Sequence, residues 1–385
     1  MAAFAACLVF VVYSGQRIFG TIGPSRAFAA ADGRLYLLSH GKIHVFGADG
    51  TRERAIDLRA LGVHPRPSDF EVHRDGRIVM ADPNESVLVR CTPPAGPCER
   101  IDVNLLKAPG QVVLPLNPAK LYIDEDAKRY FVSDNSGHRV VVADFSGHVL
   151  GVSAPGAVYY PNQLSIVDAN ELAVVDTGRK RIAVFDVSGN RIGKVLRSIY
   201  TNAGGIARAG RYLPFDSVRL PDGSLWVLMA RDHMRDGDVV LFDAQGVARS
   251  RVDLGADSDP FDLELWRGRV WIADATNYRF VSVTLDGRDL KPIGDPAFAA
   301  ELVEEREGVD RWRLYRLFAQ IGMVAVPLIG LLILWRLGHF TIAPVSKGAN
   351  PAVLTPAGMM VLRVTLAVVG ILVLLAIGWR VFRLL

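Results

Sequence analysis

The chain has few cysteines, and it lacks the local motifs that mark several common enzyme classes. Only three cysteines occur among 385 residues, which excludes a disulfide-rich scaffold and a zinc site built from two cysteine pairs. No GxSxG, HExxH or Walker loop is present, and no GxGxxG follows a predicted strand. The sequence therefore offers no specific motif for a serine nucleophile, a helix-bound zinc or a bound nucleotide.

Net charge gives little indication of a partner. The formal net charge is +4, and several of the basic residues lie beside apolar segments near the end of the chain. An excess of this kind is weak support for nucleic-acid binding, which calls for a basic patch or stripe on one face. We expect no nucleic-acid partner.

What the chain does contain is an internal repeat. The stretch VVDTGRKRIAVFDVSGN, which begins at Val174, has counterparts that begin at Phe131 and Val270. Each copy has two β-branched or aromatic runs separated by turn residues, the pattern of a strand, a turn and a second strand. In each copy an aspartate precedes an arginine by five residues: Asp134 and Arg139, Asp176 and Arg181, Asp274 and Arg279.

A proline and an alternating apolar strand open each copy of the repeat. The six prolines are Pro24, Pro67, Pro118, Pro161, Pro214 and Pro260. Their spacing of about 43 to 53 residues is the length of a four-stranded propeller blade. In the fourth copy the predicted strands are about 163–168, 171–176, 181–187 and 191–196. The sequence predicts an all-β, six-bladed β-propeller over residues 20–294, because closure leaves no long exposed strand edge.

The repeat resembles the NHL-repeat propellers. The resemblance lies in the opening proline, the alternating strand, the Ala-Asp that ends the second strand, and the run N-x-R-h-x-V-F-D-x-x-G. It covers about 270 residues and implies a propeller that is a scaffold, a receptor or a metal-dependent enzyme. The family usually has glycine two positions after the proline, and this chain does not.

That position carries a polar or charged residue in every copy: Arg26, Asp69, Lys120, Gln163, Asp216 and Asp262. Because the first strand of each blade lines the central channel, we expect these six side chains to form a ring at one mouth of it, as a candidate ligand site. The three aspartates could bind Ca²⁺ through their oxygens. The alternative is a channel lining without a ligand, in which the lysine and arginine offset the acids.

The aspartates that end the second strand are a different case. Asp82, Asp134, Asp176 and Asp274 recur in four copies, whereas a catalytic residue rarely needs repetition. A carboxylate in this place can accept turn N–H groups or pair with the arginine five residues later. We predict a structural role for them.

The ends of the chain are apolar. The runs Leu317–Trp335 and Val364–Trp379 contain no charged residue, are bracketed by arginine and end in tryptophan, as transmembrane helices do. The first residues are predicted to form an uncleaved membrane anchor. The alternative is that the start codon is assigned too late, so that basic residues upstream are missing from the sequence. The predicted segments are an anchor at 1–19, the propeller at 20–294, a juxtamembrane helix at 295–316, a transmembrane helix at 317–335, a loop at 336–362, and a transmembrane helix with the tail at 363–385.

Two signals disagree on the side of the membrane that the propeller occupies. Cys91 and Cys98 flank a proline-rich loop and are disulfide candidates, which requires an oxidising compartment. The arginines predict the opposite side: Arg311, Arg313, Arg316, Arg380 and Arg383 fall on the propeller side, against Arg336, Lys347 and Arg363. Long domains translocate largely regardless of loop charge. We favour the periplasmic side of a bacterial inner membrane, and the cytoplasmic side is the alternative.

These observations predict a membrane-anchored propeller that acts as a binding or scaffold subunit of a membrane protein assembly. Its partners would be the lipid bilayer and other membrane proteins, with no cofactor other than the candidate Ca²⁺. The alternative function is that of a metal-dependent lyase or lactonase-like hydrolase with its site at the channel mouth. A sensor that acts through the helix after the propeller is a third hypothesis.

Overall fold

The computed structural model describes residues 2–19, 23–94, 96–103, 115–201, 212–231, 237–255 and 258–336. Contacts divide the chain into two compact units. One comprises residues 21–306, and the other comprises residues 1–20 together with those from 307 onward.

The unit at 21–306 contains six four-stranded antiparallel sheets, each built from four consecutive strands. The predicted six-bladed propeller is confirmed. Blades 1 and 2 are formed by β1 (Arg26–Ala29), β2 (Leu35–Ser39), β3 (Lys42–Phe46), β4 (Arg52–Asp57), β5 (Asp69–Val72), β6 (Ile78–Asp82), β7 (Val87–Cys91) and β8 (Cys98–Ile101). Blades 3 and 4 are formed by β9 (Pro118–Asp124), β10 (Arg129–Asp134), β11 (Arg139–Asp144), β12 (Val149–Val152), β13 (Pro161–Asp168), β14 (Glu171–Asp176), β15 (Arg181–Asp186) and β16 (Val195–Tyr200). Blades 5 and 6 are formed by β17 (Tyr212–Arg219), β18 (Leu225–Arg231), β19 (Asp238–Phe242), β20 (Ala248–Val252), β21 (Pro260–Trp266), β22 (Arg269–Asp274), β23 (Arg279–Thr284) and β24 (Lys291–Pro292).

The middle strands of the blades are apolar on both faces. The strand β10, with the sequence RYFVSD, is buried at every position, and β11 is buried at its four central residues. Each blade packs between two others, so its middle strands do not need a polar face. The outer strand β4 is mostly exposed instead. One apolar cluster fills each of the six interfaces between neighbouring blades.

Blades 1 and 6 meet without sharing a sheet, since blade 6 contains the consecutive strands β21–β24. Gly23 lies in this junction. A Cβ atom at Gly23 would come within 3.0 Å of the carbonyl oxygen of Ala275 and 3.1 Å of the Tyr278 ring. Because blades 1 and 6 share no sheet, closure of the propeller depends on side-chain contacts between them. Some of these side chains line the channel.

The outer strand of blade 4 begins later than the repeat predicts. The structure places it at Val195–Tyr200, whereas the pattern predicts a strand at about 191–196. The cause is a longer turn: Gly193 N donates to the carbonyl oxygen of Asp186, and Asp186 N donates to that of Lys194. These two bonds join residues 193 and 194 to the last residue of β15, so the turn extends to Lys194 and regular pairing begins between Phe185 and Val195.

The helix α2 (Pro296–Arg336) follows the last strand and has no break, so the segments predicted at 295–316 and 317–335 form one helix. Asp295 caps its start, since Phe298 N donates to Asp295 Oδ1 at 2.9 Å. Phe298 and Leu302 pack in the apolar cluster between blades 6 and 1. Glu301 pairs with Arg52 at 2.7 Å, which fixes the first turns of the helix to blade 1.

The second unit contains α1 (Ala2–Phe19) and the later part of α2. The Trp312 ring contacts Phe10 and Tyr13, with centroid distances of 6.2 and 5.6 Å. In the part of the chain that the structure describes, neither helix combines the length and apolarity needed to cross a membrane. The predicted transmembrane helices are therefore not confirmed. Beyond Arg336, the predicted loop at 336–362 and helix at 363–385 lie outside the described residues.

Candidate functional site

The six polar side chains predicted to form a ring come from the innermost strand of each blade. They are Arg26, Asp69, Lys120, Gln163, Asp216 and Asp262, and each is at least nine-tenths buried. In blades 3, 5 and 6 a register shift between the first two strands directly precedes the ring residue. Such a bulge bends the strand and re-aims the next side chain. The opening proline therefore marks the bulge in these blades, and the bulge directs the next side chain into the ring.

Five of the six form one buried ion network. Arg26 Nε lies 2.6 Å from Asp69 Oδ1, and Arg26 Nη1 lies 2.8 Å from Asp262 Oδ1. Lys120 Nζ lies 2.7 Å from Asp262 Oδ1 and 3.9 Å from an oxygen of Asp69 and of Asp216. The contact between Arg26 Nε and Asp69 Oδ1 is an ion pair without hydrogen-bond alignment, since neither atom has a hydrogen-bond partner in the described residues.

The carboxylates of the ring also join neighbouring blades. Three backbone N–H groups, each on the innermost strand of the next blade, donate to them: Ala27 N to Asp262 Oδ2 at 2.8 Å, Leu121 N to Asp69 Oδ2 at 2.8 Å, and Leu263 N to Asp216 Oδ2 at 3.1 Å. Innermost strands of different blades do not pair through their backbones, so these side chains satisfy N–H groups that would otherwise be buried without an acceptor. The first of the three bonds closes the propeller between blades 6 and 1.

The network balances its own charge. Burial, and then the negative charge of Asp262, raises the pKa of Asp216 well above its usual value, which favours the neutral form of this carboxyl group. Burial acts to raise the pKa of Asp262 as well, but Arg26 and Lys120 outweigh it and hold that pKa below its usual value. Burial also raises the pKa of Asp69, while Arg26 and Lys120 oppose that shift. The two cations thus face the carboxyl groups of Asp69 and Asp262, and Asp216 is a third acid whose neutral form is favoured.

Gln163 is not part of the network. It is 9% exposed, and its Oε1 atom has no hydrogen-bond partner in the described part of the chain. The other five residues form the expected ring, and they are buried and in contact with one another. Their side chains meet since the acids and bases of different blades attract each other across a narrow channel. A ligand at the channel mouth stays a prediction.

The ring does not fit Ca²⁺. That ion takes about six to eight oxygen ligands, but the oxygens of Asp69 and Asp262 are already held by Arg26, Lys120 and backbone N–H groups. A metal would have to displace two protein cations. Among the described residues, no group of three or more His, Cys, Asp or Glu side chains is arranged to hold a metal ion.

A second layer of acids lies two residues further along the same strands. Glu71 Oε2 accepts a hydrogen bond from Ile123 N of the next blade at 2.7 Å, and Glu264 lies at the equivalent position in blade 6. Burial raises the pKa of Glu264 to about 8 and that of Glu71 well above its usual value. Glu264 is therefore mainly a neutral carboxylic acid at pH 7, and burial favours the neutral form of Glu71 as well. The repeat pattern identified neither residue.

A cavity of about 750 Å³ opens where the innermost strands of blades 1 to 4 end. Phe28, Glu71 and Tyr122 contribute to its lining, and the turn at 124–127 and residues 169–170 form part of its rim. The size is typical of a small-molecule site. Burial, followed by the charge of Glu71, raises the pKa of Tyr122 to about 12, so its phenol stays protonated.

Most charges at this cavity are paired with one another. Two arginines of the rim pair with two aspartates: Arg129 with Asp124 at 2.9 Å and Arg74 with Asp126 at 2.6 Å. Glu125 differs, since its Oε1 contacts His73 Nδ1 at 2.7 Å and accepts from Arg74 N at 2.8 Å. Burial lowers the pKa of His73 even with Glu125 beside it, so His73 is neutral at pH 7. Glu125 makes no ion pair with a lysine or arginine among the described residues.

The repeated aspartates of the second strands hold turns and blade connections. Asp134 Oδ2 accepts from Arg139 Nε at 2.7 Å, and Asp134 Oδ1 accepts from Asn117 N at 3.1 Å. The same pair of contacts recurs in two more blades, at Asp176 and Asp274. Asp82 binds the N–H group of Asn84. The structure thus shows the structural role predicted for these residues.

The two cysteines predicted to pair lie opposite each other on β7 and β8. Their Sγ atoms are 1.99 Å apart, as in a disulfide. The third cysteine, Cys7 in α1, is free.

No protein-family model matches this chain, and no curated protein matches it in sequence. Solved structures with a similar fold include a streptogramin B lyase (14% identity, 71% of this chain and 84% of that chain, TM-score 0.46), virginiamycin B lyase from Staphylococcus aureus (14%, 72% and 86%, 0.46) and the WD40 propeller domain of Doa1 (13%, 72% and 85%, 0.47). At these identities the likeness concerns the fold alone. The chain is a six-bladed β-propeller, and its membership of the NHL family remains a prediction.

Proposed function

We propose that the protein is a membrane-anchored β-propeller that serves as a binding or scaffold subunit in an assembly of membrane proteins. The observation that supports this most is the apolar surface of the helical unit. Large apolar side chains that are at least one-third exposed include Leu8, Val9, Phe10, Val12, Leu314, Leu317, Phe318, Ile321, Val324, Leu328, Ile329 and Leu332. Exposed apolar surface of this extent is typical of contact with lipid or with another protein.

The sequence beyond the described residues supports the same proposal. The run Val364–Trp379 contains no charged residue and is followed by Arg380, as expected for a helix in a bilayer. In this proposal α1, the later part of α2 and this run bind lipid and other membrane proteins, and the propeller presents a rigid surface with loops on both faces.

The ring supports a binding role more than a catalytic one. Its acids are held by Arg26, Lys120 and backbone N–H groups, so none is placed as an unpaired nucleophile, base or metal ligand. The alternative of a metal-dependent lyase or lactonase-like hydrolase at the ring therefore has no observation in its favour. A binding subunit needs the ring only to hold its blades together.

Membrane anchoring is tested with matched pairs of lysine substitutions. Ile321 and Leu328 of α2 are 53% and 42% exposed, and Val247 and Leu290 of the propeller are 51% and 41% exposed. Membranes from cells that produce the full chain are extracted with alkaline carbonate. We expect the unmodified chain and the Val247→Lys/Leu290→Lys control to stay in the pellet. The Ile321→Lys/Leu328→Lys variant should be released to a larger extent than this control, because each lysine at mid-bilayer costs about 2.5–3.5 kcal/mol on insertion scales. Release should stay incomplete, since α1 and the run Val364–Trp379 still bind lipid in this proposal. Release of the unmodified chain by carbonate would contradict the proposal that the protein is anchored in the membrane.

The binding role is tested by gentle detergent purification after crosslinking in the native membrane. We expect one or more membrane proteins to co-purify in fixed ratio with the chain, and the ratio to fall for the α2 double variant. A chain that purifies alone after crosslinking would contradict the scaffold role while leaving the anchor intact.

The side of the membrane is tested through the cysteine pair. We favour the periplasm, where Cys91 and Cys98 would be oxidised. In a Cys7→Ser background, denaturing and non-reducing thiol labelling of rapidly quenched cells should then modify neither residue. Labelling of both would place the propeller in the cytoplasm, as the arginine distribution predicts.

A further inference from the structure

The cavity where the innermost strands end has a mixed aromatic and acidic lining. Phe28 and Tyr122 contribute aromatic rings, and neighbouring rings hold both in place: Phe28 lies 6.2 Å from Phe70, and Tyr122 lies 6.5 Å from Phe131. No hydrogen bond to the Tyr122 hydroxyl group is formed by the described residues. The rings therefore offer fixed apolar faces, and one of them has a hydroxyl group available to a ligand.

The charge balance of the lining is negative. Four acids and two arginines contribute to it, namely Glu71, Asp124, Glu125, Asp126, Arg74 and Arg129. The two arginines pair with the two aspartates, which leaves Glu71 and Glu125 without a paired cation at the cavity. Each of these two glutamates has one oxygen that accepts backbone N–H, Glu71 Oε2 and Glu125 Oε1. The other oxygen of each accepts no hydrogen bond in the described part of the chain.

We propose that this cavity binds a small organic amine, with its ammonium group between Glu71 and Glu125 and its apolar body against Phe28 and Tyr122. The site is separate from the ring and from the helical surface of the proposed function, and it does not depend on membrane anchoring. An ammonium group supplies the positive charge that the lining lacks, and aromatic faces attract a cation placed over them. A carboxylate ligand would meet the negative charge of Glu125.

The raised pKa of Glu71 agrees with this assignment. Burial raises its pKa well above the usual value; Asp69 and Glu264 also raise it, and Arg26 opposes them. This shift favours the neutral form of Glu71 and leaves Glu125 as the main unpaired negative charge of the lining. A bound ammonium group favours the ionised form of Glu71, and the proton then leaves to solvent.

Three probes of similar shape separate charge from apolar contact. These are 2-phenylethylamine, the neutral 2-phenylethanol and the anionic 3-phenylpropanoate, each titrated calorimetrically into the detergent-solubilised full chain. We expect saturable binding of the amine with one site per chain. The neutral and anionic probes should bind at least about tenfold more weakly, which is the effect of one charge-assisted contact.

Variants then place the site. Glu125→Gln removes the unpaired carboxylate at the rim, and Glu71→Gln removes the acid inside the cavity; each should weaken amine binding at least about tenfold. Asp222→Asn is the matched control, because Asp222 lies in the equivalent turn of blade 5, is exposed and does not line the cavity. It should leave the amine affinity within about twofold. Unchanged thermal melts verify that each variant is folded.

Three results would overturn the proposal. One is the absence of saturable amine binding up to millimolar concentration. Another is equal binding of the neutral alcohol, which would indicate only an apolar pocket. The third is an equal loss of affinity in Asp222→Asn and Glu125→Gln, since that would place the amine elsewhere on the acidic surface. None of these results bears on the membrane anchor or on the co-purification test.

Discussion

The channel of the propeller contains two layers of charged side chains, and they differ in how their charge is balanced. In the ring, Asp69 and Asp262 face Arg26 and Lys120 at 2.6 to 2.8 Å. In the layer two residues further along, Glu71 and Glu264 have backbone donors, and burial raises the pKa of both, which favours their protonated forms. The two layers lie on the same strands, and they differ in the cations that neighbouring blades place beside them.

The difference indicates which charges hold the fold and which are available to a ligand. A buried carboxylate that has a cation and a backbone donor joins blades, and its removal leaves the cation without a partner. A buried acid without a cation stays neutral and can respond to a positive ligand. The ring therefore belongs to the architecture, and the cavity bordered by Glu71 is the better candidate for recognition.

The largest expected effect is the loss of the central carboxylate of the ring. Asp262→Ala removes the partner of Arg26 and Lys120 and the acceptor of Ala27 N. Breaking a buried pair in this way typically lowers the free energy of unfolding by about 3–5 kcal/mol. Gln163→Ala, at the same repeat position but outside the network, should cost about 1 kcal/mol. Urea unfolding of the two variants measures both values. Equal losses would contradict the stabilising role of the ion network.

The next effect concerns pH and the second layer. The pKa of Glu264 is about 8 in the folded protein, whereas it is near 4.3 in an unfolded chain. Between these values the unfolded chain loses a proton that the folded protein keeps, so the free energy of unfolding falls as pH rises. The slope from this group is about 1.4 kcal/mol for each pH unit.

Glu264→Gln tests this dependence, because the amide stays neutral at every pH. Unfolding free energies measured from pH 5 to pH 8 should decline less in Glu264→Gln than in the unmodified chain. Glu304→Gln, which removes an exposed carboxyl group of α2, should keep the original decline. A slope that is unchanged in Glu264→Gln would show that this acid ionises freely.

A smaller effect is expected at His44, a buried group that has no polar partner. His44 is fully buried, and neither of its ring nitrogens has a hydrogen bond in the described residues. The centroid of its ring lies 4.4 Å from that of the Phe298 ring. Burial lowers its pKa to about 4. Below about pH 6.5 the unfolded chain binds a proton at His44 that the folded protein does not bind. The free energy of unfolding therefore falls as pH drops from about 6.5 to about 4.

His44→Phe should remove this acid-side loss and raise the free energy of unfolding at pH 7 by about 1 kcal/mol, because no polar atom is then buried without a partner. Unfolding curves at pH 5 and pH 7 give the comparison. A variant that is less stable than the unmodified chain at pH 5 would contradict the account of His44.

The smallest expected effect is the response to calcium. A ligand at about 100 times its dissociation constant would add about 2.7 kcal/mol to the folded state. Because the ring acids are occupied by protein cations, we expect thermal melts with and without millimolar Ca²⁺ to coincide. A clear upward shift that Asp216→Asn/Asp262→Asn abolishes would show that the ring binds metal after all.

Much of the fold follows from the sequence, because the repeat is local. A proline and an alternating strand recur in six chain segments, an Asp-x₄-Arg turn follows in three of them, and each segment predicts one blade. The polar ring was predicted for the same reason, since one repeat position maps to one place in the channel. The start of β16 was predicted wrongly, because the turn before it is set by two backbone bonds at Asp186 that leave no mark in the repeat.

Charge pairing could not be predicted in the same way. Whether Asp262 meets Arg26 and Lys120 depends on how far the channel narrows and on the bulge that aims each side chain, and both arise only when six blades close. Glu71 and Glu264 were missed although the signal was present, since a period of two places them on the channel side directly after the ring. The cavity near them requires turns from four blades to converge, which no single repeat shows.

The charges of the ring stabilise one another, and a double-mutant cycle between Lys120 and Asp262 measures this stabilisation. Unfolding free energies are measured for the unmodified chain, Lys120→Met, Asp262→Leu and the double variant. We predict a coupling free energy in the upper part of the range of about 0.5–3 kcal/mol for residues in one network, with the double variant more stable than the sum of the single losses implies. Strictly additive losses would show that these two charges do not depend on each other and would contradict the account of the ring.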